Sequence, residues 1–83
     1  MEIKAYTTRG CFYCEKLKEL FSRADVEYQM LTVGEDITKE EFLNEYPHVT
    51  GYPYVIIDGE IVGGLVETAK LFLQKGLVSS KRS

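Results

Sequence analysis

The run "YPYVIIDGEIVGG", residues 52–64, constrains the fold of this chain more than any other stretch. Two apolar segments flank Asp58-Gly59, a dipeptide that accepts the left-handed backbone a two-residue hairpin turn demands. An antiparallel hairpin is expected here, with Pro53 opening its first strand and Gly63-Gly64 breaking its second.

The rest of the chain fits around that hairpin. "EIKAYT" puts Ile3, Ala5 and Thr7 on one face of a first strand, and a turn follows at Thr8, Arg9 and Gly10. Leu17, Leu20, Phe21 and Ala24 then recur at helical spacing, so a helix begins around Cys11 and Cys14. Residues 26–33 alternate as a second strand that Gly34 ends. Asp36 or Thr38 is the expected N-cap of a second helix, with Glu41 completing a capping-box pattern and Phe42, Leu43 and Tyr46 turned inward. Pro47 stops it. Leu65, Ala69, Phe72 and Leu73 line a last helix that ends at Gly76. The order β-α-β-α-β-β-α predicts an α/β architecture, a four-stranded mixed sheet flanked by three helices, with the first β-α-β unit parallel. Thioredoxin-like folds share that order.

At 83 residues the chain has room for one core, so we expect a single domain over residues 1–78 and a flexible tail over 79–83, where Lys81 and Arg82 stand among serines. A net charge of -3 with scattered basic residues argues against nucleic acid as a partner. The N-terminus reads as no secretion signal, and the apolar run Val55 to Ile57 is far too short to span a membrane. A soluble, monomeric, cytoplasmic protein is expected.

Both cysteines lie in "TTRGCFYCEKLKELF", with only Phe12 and Tyr13 between them. A disulfide across so short a loop removes little chain entropy, so a purely structural staple is disfavoured. Structural zinc wants four ligands, and beyond the two thiols the chain offers the lone His48. The pair reads as chemical rather than structural.

"CFYC" after the first strand, "GYPYVII" with its proline heading the third, and "GG" ending the fourth resemble the glutaredoxin family over nearly the whole chain. That resemblance implies a glutathione-dependent thiol–disulfide oxidoreductase acting on protein disulfides and glutathione mixed disulfides. Ribonucleotide reductase is one candidate acceptor, and the cytoplasm, or a host's cytoplasm for a phage protein, is the implied location. Cys11, at the start of a helix, is the implied nucleophile and Cys14 the resolving thiol, the two forming a redox-active disulfide. Glutathione, as co-substrate, is assigned to Arg9, Tyr13, Tyr52, Pro53, Gly63, Gly64, Leu65, Val66 and Glu67, with Tyr52-Pro53 cis and no metal expected. Lys39 and His48 are further candidates for its glycyl carboxylate, and Thr68 for contacts beside Glu67.

The chain departs from the family pattern in places. Phe12 stands where many dithiol glutaredoxins have proline, Gly51 replaces a usual threonine, and Val66 carries no polar group. Two alternatives follow: a redoxin reduced by thioredoxin reductase, and a carrier of an iron–sulfur cluster held by the first cysteine and glutathione.

Overall fold

The structure, a computed structural model, describes residues 1–78; the expected basic tail, 79–83, lies outside the described residues. Its elements are β1 (Ile3–Thr7), α1 (Phe12–Ala24), β2 (Gln29–Thr32), α2 (Lys39–Glu45), β3 (Tyr54–Ile57), β4 (Glu60–Gly63) and α3 (Leu65–Gln74). The four strands form one mixed sheet in the order β2-β1-β3-β4. β1 runs parallel to β2 and antiparallel to β3, and β3 runs antiparallel to β4. This is the thioredoxin-like architecture expected from the element order.

Asp58 and Gly59 both have positive φ, 52° and 82°, as the tight hairpin turn requires. Asp58 also anchors the N-terminus: its N–H donates to the Glu2 carbonyl, and its carboxylate accepts the Glu2 N–H. A register shift leaves Val62 unpaired, so Gly63 rather than Val62 lies opposite Val55.

Two cores cover the two faces of the sheet. On one, Ile3, Ala5, Val55 and Ile57 meet Leu17 and Phe21 of α1 and Phe72 of α3. On the other, Tyr6 and Ile56 meet Phe42 of α2, with Tyr46, Tyr52 and Tyr54 packed around them. Phe42 stands 4.7 Å from the Tyr6 ring and 5.8 Å from Tyr52, centre to centre, so this second core is largely aromatic. Burial, with Tyr6 and Glu45 alongside, pushes the Tyr46 phenol up to about 12, and it stays neutral at physiological pH.

Several local expectations are corrected. The second strand covers only Gln29–Thr32, because α1 closes on Asp25 in the left-handed region (φ 53°) and Val26 is tied back to the Phe21 carbonyl. Thr38, not Asp36, caps α2, with the full capping box to Glu41; the Asp36 carboxylate instead accepts the Thr32 N–H. Leu43 is 38% exposed, since on so short a helix only Phe42 points at the sheet. In α3 the buried positions are Thr68 and Phe72, four apart, while Leu73 faces solvent.

These corrections make a test. Phe42→Ala should cost about 3–5 kcal/mol of unfolding free energy, and Leu43→Ala less than about 1 kcal/mol, by urea denaturation. Equal losses would contradict the placement of α2.

Candidate active site

β1 ends at Thr7, and a turn through Gly10, at φ 71°, delivers Cys11 as the N-cap of α1. Cys11 has extended backbone, and its Sγ accepts the N–H of Cys14 at 3.2 Å. Sulfur thus takes the place a serine or aspartate oxygen usually fills at a helix start. Cys14, one turn in, is 3% exposed, and its sulfur is bonded to that of Cys11 across a Cα–Cα distance of 5.2 Å. Cys11 remains half-buried and is the more accessible of the two.

Phe12 and Tyr13, between the cysteines, are 66% and 60% exposed and meet edge to face. Lys16 Nζ lies 5.5 Å from the centre of the Phe12 ring. An aromatic pair, with a cation over one ring, therefore flanks the disulfide on the solvent side.

The disulfide opens onto a cleft of about 540 Å³ whose walls include Thr7, Arg9, Thr32 and Glu35. Arg9 is not free to serve Cys11 alone: its Nη2 donates to Glu35 Oε1 at 2.6 Å. That hydrogen bond, with the ion-pair attraction, raises the guanidinium pKa and holds the Glu35 carboxyl below its usual range. Both side chains are well exposed, so the pair is screened and its worth is small. Glu35 is a site residue that sequence reasoning missed. The signal was there: β1 and β2 run parallel with Thr7 opposite Thr32, so residues shortly after each strand meet at one edge.

A second depression, about 380 Å³, is lined by Tyr52, Pro53, Gly63, Gly64 and Glu67 together with Thr50, Gly51 and Tyr54. The Tyr52-Pro53 bond is cis. Tyr6 pairs with Tyr54, so Pro53 arrives beside the end of β1, at the edge from which the cysteine turn departs. Gly63 has φ 119°, and a Cβ there would stand 3.2 Å from Glu67 Cγ. The Glu67 carboxylate accepts the Gly64 N–H at 2.9 Å, while the buried Thr68 hydroxyl donates to the Gly64 carbonyl at 2.8 Å.

Of the residues expected from the sequence, Cys11, Cys14 and Arg9 therefore share the first cleft, and Tyr52, Pro53, Gly63, Gly64 and Glu67 the second. Tyr13, Leu65, Val66, Lys39 and His48 line neither. Leu65 packs on the core and Val66 is 58% exposed. Among the described residues no group of three or more His, Cys, Asp or Glu is placed to hold a metal ion, and no helix is long and apolar enough to cross a membrane.

The two glycines should respond differently to substitution. Gly63→Ala forces a side chain into a conformation it rarely adopts and should cost about 1–3 kcal/mol. Gly64→Ala, at φ −92°, should stay within about 1 kcal/mol of the parent, by thermal or urea unfolding. The reverse order would contradict the geometry of the β4–α3 junction.

The sequence pattern of the Glutaredoxin family matches residues 3–62. A glutaredoxin-like 8.6 kDa protein of the rubredoxin operon of Clostridium pasteurianum is 31% identical over 62 residues, spanning 75% of this chain and 83% of that protein. Among solved structures, glutaredoxin 1 of Francisella tularensis, complexed with cacodylate, superposes with a TM-score of 0.75 at 25% identity, covering 92% of this chain and 95% of that one. A buckwheat glutaredoxin–glutathione complex has the same fold, with a TM-score of 0.68 at 22% identity over 92% of this chain and 71% of that one. With its sheet order, its redox-active cysteine pair and these likenesses together, the chain belongs to the glutaredoxin family, whose members are thiol–disulfide oxidoreductases.

Proposed function

We propose that this protein reduces protein disulfides and glutathione mixed disulfides at Cys11, with Cys14 as resolving thiol and glutathione as the reductant. The observation that carries the proposal is the position of Cys11: a half-buried residue whose sulfur caps a helix N-terminus and is bonded to a buried partner one turn away. Unpaired N–H groups and the helix dipole favour a thiolate there. Glutathione as co-substrate is supported by family membership and by the depression lined by Tyr52-Pro53 and Gly63-Gly64, where the Tyr52 backbone can pair with an extended peptide.

The chemistry follows from that arrangement. The Cys11 thiolate attacks one sulfur of a substrate disulfide, the other sulfur leaves as a thiolate that takes a proton, and a mixed disulfide remains on Cys11. Cys14, once deprotonated, attacks the Cys11 sulfur, releases the second substrate thiol and closes the Cys11–Cys14 bond. One glutathione reopens that bond to give glutathionylated Cys11 and free Cys14. A second attacks the glutathionyl sulfur, forming glutathione disulfide and returning the Cys11 thiolate.

The gain from a lowered pKa lies mostly in leaving. Lowering a thiol from ~8.5 to ~6 raises its thiolate fraction at pH 7 about thirtyfold but reduces intrinsic nucleophilicity about thirteenfold, a net of roughly two. The same change makes Cys11 a far better leaving group when glutathione attacks. Glutathionylated and disulfide-bearing proteins, ribonucleotide reductase among them, are the partners this chemistry serves, acting through a monomer in a reducing compartment such as the cytoplasm.

One observation favours a second reading, a redoxin reduced by thioredoxin reductase: the Glu67 side chain folds over the double glycine, and Val66 offers no polar side chain. Turnover of a glutathione mixed disulfide, coupled in parallel to glutathione reductase and to thioredoxin reductase, separates the two. Activity with glutathione is expected, and activity with thioredoxin reductase alone would overturn the first reading. Cys11→Ser should abolish turnover in that assay and in a parallel assay of insulin disulfide reduction, while Cys14→Ser should keep deglutathionylation in the first and lose the second. Equal loss in both variants would reject the assigned roles.

A further inference from the structure

Tyr52 reaches the site on a stretch of backbone with few bonds of its own. Among the described residues, neither its N–H nor its carbonyl has a backbone partner, and the same holds for Thr50 and Gly51 before it. Gly51 adds no side chain, and a Cβ built there would meet nothing within 4 Å. Only from Tyr54 onward does pairing with β1 fix the chain. The Tyr52 ring, by contrast, is half-buried and lies on Phe42 of α2, the ring centres 5.8 Å apart and the planes at 25°. Phe42 is itself fully buried, with the rings of Tyr6, Tyr46 and Tyr54 at 4.7, 5.8 and 5.9 Å. The stack thus ties an otherwise unbonded stretch to the aromatic core, and ring pairs of this kind attract beyond the area they bury.

We infer that the Tyr52 ring and Phe42 are positioning groups: ring on ring, they fix the peptide plane of Tyr52 and so favour disulfides that carry a peptide over those that do not. The inference rests on the glutathione reading above and adds to it the device that holds the pairing backbone still. The free N–H and carbonyl of Tyr52 are the groups an extended peptide meets. A backbone already fixed binds without further ordering, whereas a loose one must be ordered by the ligand at the expense of affinity. Disulfides without a peptide group make no use of that plane, and for them the stack is immaterial. α2 packs on the face of the sheet away from α1 and α3, and none of its residues lines either cleft. Through Phe42 it nonetheless takes part in substrate selection.

The test is the rate at which the reduced protein attacks two disulfides, read by stopped-flow loss of thiolate absorbance in a Cys14→Ser background so that one thiol reacts. Glutathione disulfide carries peptide groups; bis(2-hydroxyethyl) disulfide carries none. In both, the Cys11 thiolate bonds to one sulfur and the other leaves as a thiolate. Each rate is divided by that of a free cysteine thiolate with the same disulfide. Tyr52→Ala should lower the glutathione disulfide rate about five- to thirtyfold, the size of ordering one residue's backbone at binding, and the other rate less than about twofold. Tyr52→Phe should regain most of the loss. Phe42→Leu, which keeps an apolar core residue without a flat face, should lower the ratio of the two rates in the same direction. An unchanged ratio in Tyr52→Ala or in folded Phe42→Leu would overturn the inference, as would equal losses with both disulfides, the mark of general damage to the site. Tyr52→Phe no better than Tyr52→Ala would assign the effect to the hydroxyl and overturn the stacking role. A parent with no preference for glutathione disulfide would overturn the glutathione reading itself, and the inference with it.

Discussion

The double burial of β1 is the constraint on which the rest of this structure depends. It has a strand on either side and a packed core on either face, with Ala5 facing Leu17, Phe21 and Phe72 and Tyr6 facing Phe42. Because β2 runs with it and β3 against it, the end of β1 meets the end of β2 and the start of β3. The end of β4 reaches the same edge through the pairing of Val55 with Gly63. Two helix N-termini, a cis-proline and a double glycine are thereby gathered without any of them contributing much to the core. A fold of this kind can vary its site residues while its packing stays fixed.

Three helices begin with three different acceptors. α2 uses the Thr38 hydroxyl in a reciprocal box with Glu41, α3 uses the Glu67 carboxylate, and α1 uses the Cys11 sulfur. The first two are structural solutions to unpaired donors. The third changes with chemistry: bonded to Cys14, the sulfur is a neutral and weak acceptor, whereas a thiolate at that position complements the donors and the helix dipole far better. The helix therefore favours the reduced, ionised form of Cys11. The Arg9–Glu35 pair at the rim bears on this balance, since Glu35 offsets the positive charge that Arg9 would otherwise lend to the sulfur.

Much of this was legible in the residues. Asp58-Gly59 between apolar runs gave the hairpin, Thr38 with Glu41 gave a helix start, and the spacing of Leu17, Phe21 and Ala24 gave the face of α1. What was not legible involved choices that only tertiary contact makes. Asp25 closes α1 in a left-handed conformation without a glycine to announce it, so the second strand is shorter than the alternation over 26–33 predicts. Leu43 and Leu73 look like core residues by composition, yet on short helices a single turn suffices to bury Phe42 and Phe72. The site divides in the same way. The cysteines, the cis-proline and the glycines are visible as a pattern, but the partners of Arg9 and Gly64, namely Glu35 and Glu67, depend on how strand ends and a helix start converge.

The central claim is that the start of α1 holds Cys11 as a thiolate, and the titration of that thiol tests it most directly. In the reduced protein, thiolate absorbance near the ultraviolet edge, followed against pH in Cys14→Ser so that one thiol is read, should give a pKa below about 7, with the thiolate retained as pH falls through the range where an ordinary cysteine is protonated. A value at or above about 8.5 would mean that the helix start does not stabilise the anion, and the account of Cys11 as nucleophile and leaving group would fall with it.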